Sequence, residues 1–157
     1  MKMFFALILS CASVLGADTN VQVTTTTRTG GVRDAGIYRT DVFTRAGHKD
    51  LVCNTFTPND GKGTMLTQSF YHDSLLVGTS IMAGPQVQNF VTEAGSPYSV
   101  QFTFSPSKKT GFIYITAKDG EILDGFTCTN GIFYPADSHL IAEENKKINL
   151  GHFLIAH

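Results

Sequence analysis

From 98 to 105 the chain alternates apolar and polar residues without a break (Tyr-Ser-Val-Gln-Phe-Thr-Phe-Ser). Successive strand side chains point to opposite faces, so this stretch predicts a half-buried strand. Residues 106–111 read as a turn and 112–118 as a second strand. Asp119-Gly120 then makes a tight hairpin turn into a third strand over 121–129. A two-residue turn pairs Lys118 with Glu121, an opposite-charge pair. Counting back sets Ala117 against Ile122, Ile115 against Asp124, and Ile113 against Phe126. With Ser105 paired to Phe112, one face carries three layers: Phe104–Ile113–Phe126, Phe102–Ile115–Asp124 and Val100–Ala117–Ile122. A slip of one residue in either hairpin would scatter this set over both faces. On the opposite face Gly125 falls beside Tyr114, whose ring can cover the bare backbone.

The same punctuated pattern precedes this meander. A threonine-rich stretch at 20–29, with few strong apolar residues, predicts an edge strand, and further strands are expected over 37–45, 51–57, 64–72, 75–82 and 86–92. In 37–45 the buried face is ambiguous: Tyr38 and Val42 lie on one side, Ile37, Asp41 and Phe43 on the other. Asp73-Ser74 joins two strands so that His72 meets Leu75, with Phe70–Val77 and Leu66–Ile81 on one face and Tyr71–Leu76 on the other. Short strands separated by turns at this spacing predict a mainly β chain. The expected architecture is a two-sheet antiparallel β-sandwich, with a small β-barrel as the alternative. Beyond Pro135 the period changes, and Asp137 or Ser138 can cap one short C-terminal helix over 139–149. Leu140, Ile141 and Ile148 share its apolar side, and the apolar tail at 152–157 is expected to dock.

The length of 157 residues suits one domain. Residues 1–17 have the form of a secretory signal peptide, with Lys2 ahead of a short apolar run and then small residues. A single domain over 18–157 would follow. Ile8-Leu9-Ser10-Cys11 offers a second route, a lipid anchor at Cys11. Both routes place the protein outside the cytoplasm, secreted or in the periplasm or cell envelope. The sequence contains no apolar run long enough for a transmembrane helix. A formal net charge of -1 with 16% charged residues argues against a nucleic-acid partner. In an oxidising compartment Cys53 and Cys128 are expected to form a disulfide, which would stabilise the fold by roughly 4 kcal/mol.

The candidate chemistry is sparse. The five histidines are not spaced as metal ligands, so no metal and no cofactor are expected. No Gly-x-Ser-x-Gly elbow marks a nucleophile. Asp124, placed on the apolar face, is the most informative carboxylate. It is a catalytic candidate together with His72 and Asp73, because burial can raise a carboxyl pKa into a useful range. On the outer face of the meander, Phe112, Tyr114 and Leu123 form a candidate binding surface. The leading expectation is an exported binding or interaction module, or a protein inhibitor, whose partner is an unknown protein or small ligand. The alternatives are a hydrolase built on scattered carboxylates and a histidine, and a structural envelope lipoprotein.

Overall fold

The computed structural model describes residues 20–33, 35–59, 65–83, 86–105 and 110–155. The signal peptide expected over 1–17 and Cys11 lie outside the described residues. Among the described residues ten strands follow one another. The first six are β1 (Gln22–Thr29), β2 (Gly36–Thr44), β3 (Leu51–Pro58), β4 (Met65–His72), β5 (Leu75–Ala83) and β6 (Gln86–Thr92). Then come β7 (Ser99–Ser105), β8 (Thr110–Thr116), β9 (Ile122–Thr129) and β10 (Ile132–Pro135), and the helix α1 (Ser138–Ile155) ends the described chain. Each strand pairs antiparallel with its neighbour in sequence, except that β6 and β7 are not hydrogen-bonded to each other. The result is a six-stranded sheet, β1 to β6, and a four-stranded sheet, β7 to β10, not closed into a barrel. The threonine-rich β1 is an edge strand, as its composition predicts.

The inner faces of the two sheets meet over a core of Phe43, Leu51, Cys53, Phe70 and Val77 from one and Ile113, Ile115, Phe126, Cys128 and Phe133 from the other. Phe70 is its hub: fully buried, it packs its ring 4.7 Å from Phe133, 5.2 Å from Phe126 and 6.0 Å from Phe90, between ring centroids. On β2 the ambiguity resolves in favour of Ile37, Arg39, Asp41 and Phe43, which face the interior side.

Phe102, Ile113, Ile115, Phe126 and Cys128 lie on the face that the alternation predicts, but Ile122 does not, and the layers differ. Ser105 pairs with Thr110, so Phe104 meets Gly111, Phe102 meets Ile113 and Val100 meets Ile115. The observed layers are Phe104–Gly111–Cys128, Phe102–Ile113–Phe126 and Val100–Ile115–Asp124. This shift by two residues leaves every side chain of β7 and β8 on its predicted face. Gly111 makes it fit: a Cβ there would lie 2.8 Å from the Phe104 ring and 2.7 Å from the Thr103 carbonyl oxygen.

The second hairpin also departs from the simple two-residue turn. Ala117 N–H donates to the Glu121 carbonyl oxygen, and Gly120 N–H to that of Ala117. The loop is therefore Lys118-Asp119-Gly120, with Gly120 in the left-handed region at φ 93°. A bulge at Leu123 restores the predicted pairs Ile115–Asp124 and Ile113–Phe126, but it sets Ile122 opposite Thr116 instead of Ala117, so Ile122 turns from the predicted core face to the helix side beside Tyr114. Gly125 faces Tyr114 as expected. In the β4–β5 hairpin His72–Leu75 and Tyr71–Leu76 hold, but a bulge at Val77 pairs Phe70 with Gly78 and Leu66 with Met82.

The strand β10 is not among the elements that the sequence predicts. Asn130 at φ 51° and Gly131 at φ 83° turn the chain back onto β9. The Asp137 carboxylate then accepts from His139 N–H at 2.7 Å, the expected N-cap. The helix passes Gly151 and runs to Ile155, further than predicted. It docks through Ile141 and Ile148 against Ile122, Ala136 and Tyr114. The Asn145 amide seals the joint, accepting from Ile122 N–H and donating to the Ile122 carbonyl oxygen, both at 2.9 Å.

Candidate functional site

Asp124 projects from β9 into the interior and is only 1% exposed. A carboxylate taken out of water costs several kcal/mol unless a cation and hydrogen bonds replace the solvent. Arg45, just past the end of β2, supplies both. Its Nη1 donates to Asp124 Oδ1 at 3.0 Å and its Nη2 to Oδ2 at 2.5 Å, a two-pronged pair across the two sheets. Gly125 N–H adds a third donor to Oδ1 at 2.8 Å. Arg45 Nη2 also donates to the Lys49 carbonyl oxygen at 3.3 Å, which ties in the β2–β3 loop.

His72 completes the cluster from the end of β4. Its Nε2 stands 3.7 Å from Asp124 Oδ2, and the Tyr98 ring meets the imidazole edge-on at 4.9 Å between centroids. Burial pushes the His72 pKa down, against the upward pull of Asp124 and Asp73, and Arg45 and Lys49 push in the same direction as burial. The buried Nδ1 has no hydrogen-bond partner among the described residues. An imidazolium would leave an N–H unpaired there, so the neutral ring is the form this site accepts. Asp73 does not join them. It lies on the exposed hairpin tip, 3.4 Å from Lys49 Nζ. The fold thus brings Asp124 and His72 together, but behind Arg45 and away from solvent, where they lock the two sheets.

The expected Cys53–Cys128 disulfide is not formed; both residues are buried free thiols. They sit on opposite sheets within the phenylalanine core and pack there as small apolar groups. Burial raises both thiol pKa values, that of Cys53 to about 12, so little of the thiolate needed for disulfide exchange is present at neutral pH.

The candidate surface on the second sheet is partly occupied by the protein itself. The Phe112 and Tyr114 rings stack at 5.6 Å, and Tyr114 packs against the helix cluster. Burial, then the nearby Glu144, raises the Tyr114 pKa. Leu123 on the bulge is 39% exposed.

A different feature, not foreseen from the sequence, is an opening into the interior side. A cleft of about 520 Å³ lies between the inner face of β1–β4 and β10. Strands are spaced ~4.8 Å apart, so six strands facing four leave a width of roughly 10 Å uncovered. The β6 and β7 edges lie beside each other, so the uncovered part falls at β1 and β2. Phe43, Leu66, Phe133 and Tyr134 supply apolar walls, while Ile37 and Ile132 are 51% and 71% exposed.

A polar strip runs along the other wall of the cleft. Thr25 Oγ1 donates to Asp41 Oδ1 at 2.6 Å, and Arg39 Nε pairs with the same carboxylate at 2.9 Å. Deeper, Gln68 Nε2 donates to Thr55 Oγ1 and Ser80 Oγ to Gln68 Oε1, each at 3.4 Å. The alternation on β1 and β3 could have signalled this strip, since Thr25 and Thr27 share a face with Val23, and Thr55 and Thr57 share one with Cys53.

Among the described residues no group of three or more His, Cys, Asp or Glu could hold a metal ion, and no helix is long and apolar enough to cross a membrane. No protein-family model matches the chain, and comparison with curated proteins and with solved structures finds no match either.

Removing one partner of the buried pair strands the other charge. Asp124→Asn is expected to cost about 3–5 kcal/mol in urea denaturation, whereas Arg45→Met/Asp124→Leu should recover much of that loss. Equal or greater loss in the double variant would contradict the ion-pair account.

The His72 shift also sets a pH dependence. Its pKa is lowered from the ordinary 6.5, so the folded protein binds fewer protons there than the unfolded chain. The stability it contributes is fully present above that value and is lost as pH falls below it. Thermal midpoints measured from pH 7.5 to 5 should therefore drop in the native protein and drop less in His72→Gln.

Proposed function

We propose that this protein is a binding module that takes a small ligand with an apolar body and a hydrogen-bonding end into the cleft between β1–β4 and β10. The observation that carries this reading is the composition of that cleft. Its volume of about 520 Å³ lies in the range of small-molecule sites, and it sets apolar walls against a strip of hydroxyl, amide and paired charged groups. Burying an apolar body there removes Ile37 and Ile132 from water as well, and each fully buried side chain of that size is worth about 1.5–3 kcal/mol. The Arg45–Asp124–His72 cluster is buried and packed away from solvent, which supports a binding scaffold over a catalytic one. The leader-like stretch at 1–17 supports a place of action outside the cytoplasm, secreted or in the envelope.

The exposed pair at the mouth gives a test that spares the core. Titration with the neutral fluorescent probe N-phenyl-1-naphthylamine should give saturable enhancement in the native protein. Ile37→Asp/Ile132→Asp should weaken it by at least about tenfold, since lost burial at two sites amounts to more than 1.4 kcal/mol. The thermal midpoint should stay nearly unchanged, because both side chains are already exposed. No saturable binding, or binding indifferent to the double substitution, would remove the cleft as the site.

A further inference from the structure

The strands that line the cleft with one face build a second concavity with the other. On the outer side of β1–β4 a groove of about 470 Å³ is lined by Arg28, Tyr38, Asn54, Phe56, Ser69 and Tyr71, among others. The register explains their order. Arg28 pairs with Tyr38 and Tyr38 with Phe56, which makes one row across three strands. The next row is Thr40–Asn54–Ser69, and the one after it ends at Tyr71, opposite Val52. A hydroxyl and amide floor thus lies between aromatic walls.

Three properties of this groove narrow what it can hold. First, the Arg28 guanidinium carbon sits 3.8 Å above the Tyr38 ring, and that ring lies 4.5 Å from Phe56. Stacking holds the cation in place, with no carboxylate partner among the described residues. Second, Arg28 lines the groove and none of its described lining residues is Asp or Glu; Arg39 at its rim is already paired with Asp41, so the positive charge the groove offers is that of Arg28. Third, Asn54 Oδ1 is buried on the floor and accepts no hydrogen bond among the described residues. Leaving such an acceptor unpaired is unfavourable, and a ligand that donates to it relieves that cost.

We propose that this outer groove binds an acidic sugar, a hexuronate unit whose carboxylate pairs with Arg28 and whose hydroxyls donate to Asn54. The chemistry matches on each count. A pyranose ring has an apolar C–H face for an aromatic wall, several O–H donors for a floor with an orphaned acceptor, and one negative charge for the guanidinium. An aromatic acid would supply the charge and the stacking but no donor for Asn54. A neutral sugar would supply the donors but no partner for Arg28. The site is independent of the cleft, being on the opposite face of the same strands.

Calorimetric titration with a digalacturonate and its neutral methyl ester tests the assignment, with benzoate as the donor-free acid. Saturable binding of digalacturonate is expected, with the ester at least about tenfold weaker, because a charge-assisted hydrogen bond is worth about 1.5–3 kcal/mol. Arg28→Ala, an exposed edge-strand change that the fold should tolerate, is expected to erase the difference between acid and ester. Asn54→Ala should weaken both, and the cleft variant Ile37→Asp/Ile132→Asp should leave both unchanged. Equal binding of acid and ester, preference for benzoate, insensitivity to Arg28→Ala, or absence of digalacturonate binding would each overturn the proposal.

Discussion

A carboxylate cannot be left alone between two β-sheets, and the structure is organised around how Asp124 avoids that. Its two oxygens take two donors from Arg45 and one from the Gly125 backbone. Arg45 belongs to the six-stranded sheet and Asp124 to the four-stranded one, so the pair fixes how far the sheets can slide over each other. The cost of desolvating two charges makes such a pair a weak source of net stability, but its geometry rejects other alignments. His72 and Tyr98 close the space around it, and the neutral imidazole avoids adding a third charge.

The cleft follows from an imbalance of the same two sheets. With β6 and β7 side by side, the shorter sheet covers the longer one from that edge and runs out before β1. Phe70, Phe126 and Phe133 fill the covered part, and the uncovered part retains Thr25, Asp41 and Thr55 on its floor. The molecule therefore holds both a fully packed polar lock and an open, mixed-polarity surface. Even the two cysteines conform to this division: both lie in the phenylalanine core, where burial disfavours the thiolate.

Much of this was legible in the alternation, and the failures have specific causes. Period two assigns faces, so Phe102, Ile113 and Phe126 were correctly set on one side. It cannot see a slip of two residues, which preserves faces, and the six-residue turn read at 106–111 absorbed Gly111 from the strand it belongs to. The bulges at Val77 and Leu123 are single-residue insertions that leave no compositional trace. The strand β10 was signalled by Asn130-Gly131 but is only four residues long. Asp124 was placed facing inward from sequence, yet its partner was missed. Arg45 shares the parity of Phe43, and a buried carboxylate demands a cation, so the signal existed once the inner face of β2 was known. The cleft had no sequence signal as a whole, because it arises from strand count and sheet edges rather than from any local pattern.

The central claim is that the ligand enters between β1–β4 and β10 while the Arg45–Asp124–His72 cluster stays sealed. Amide chemical-shift mapping with the neutral naphthylamine probe tests this most directly. The account predicts perturbations concentrated at Thr25, Asp41, Thr55, Leu66 and Tyr134, with Asp124, His72 and Arg45 unmoved. Perturbations centred on Phe112, Tyr114 and Leu123, or on the Asp124 cluster, would contradict it.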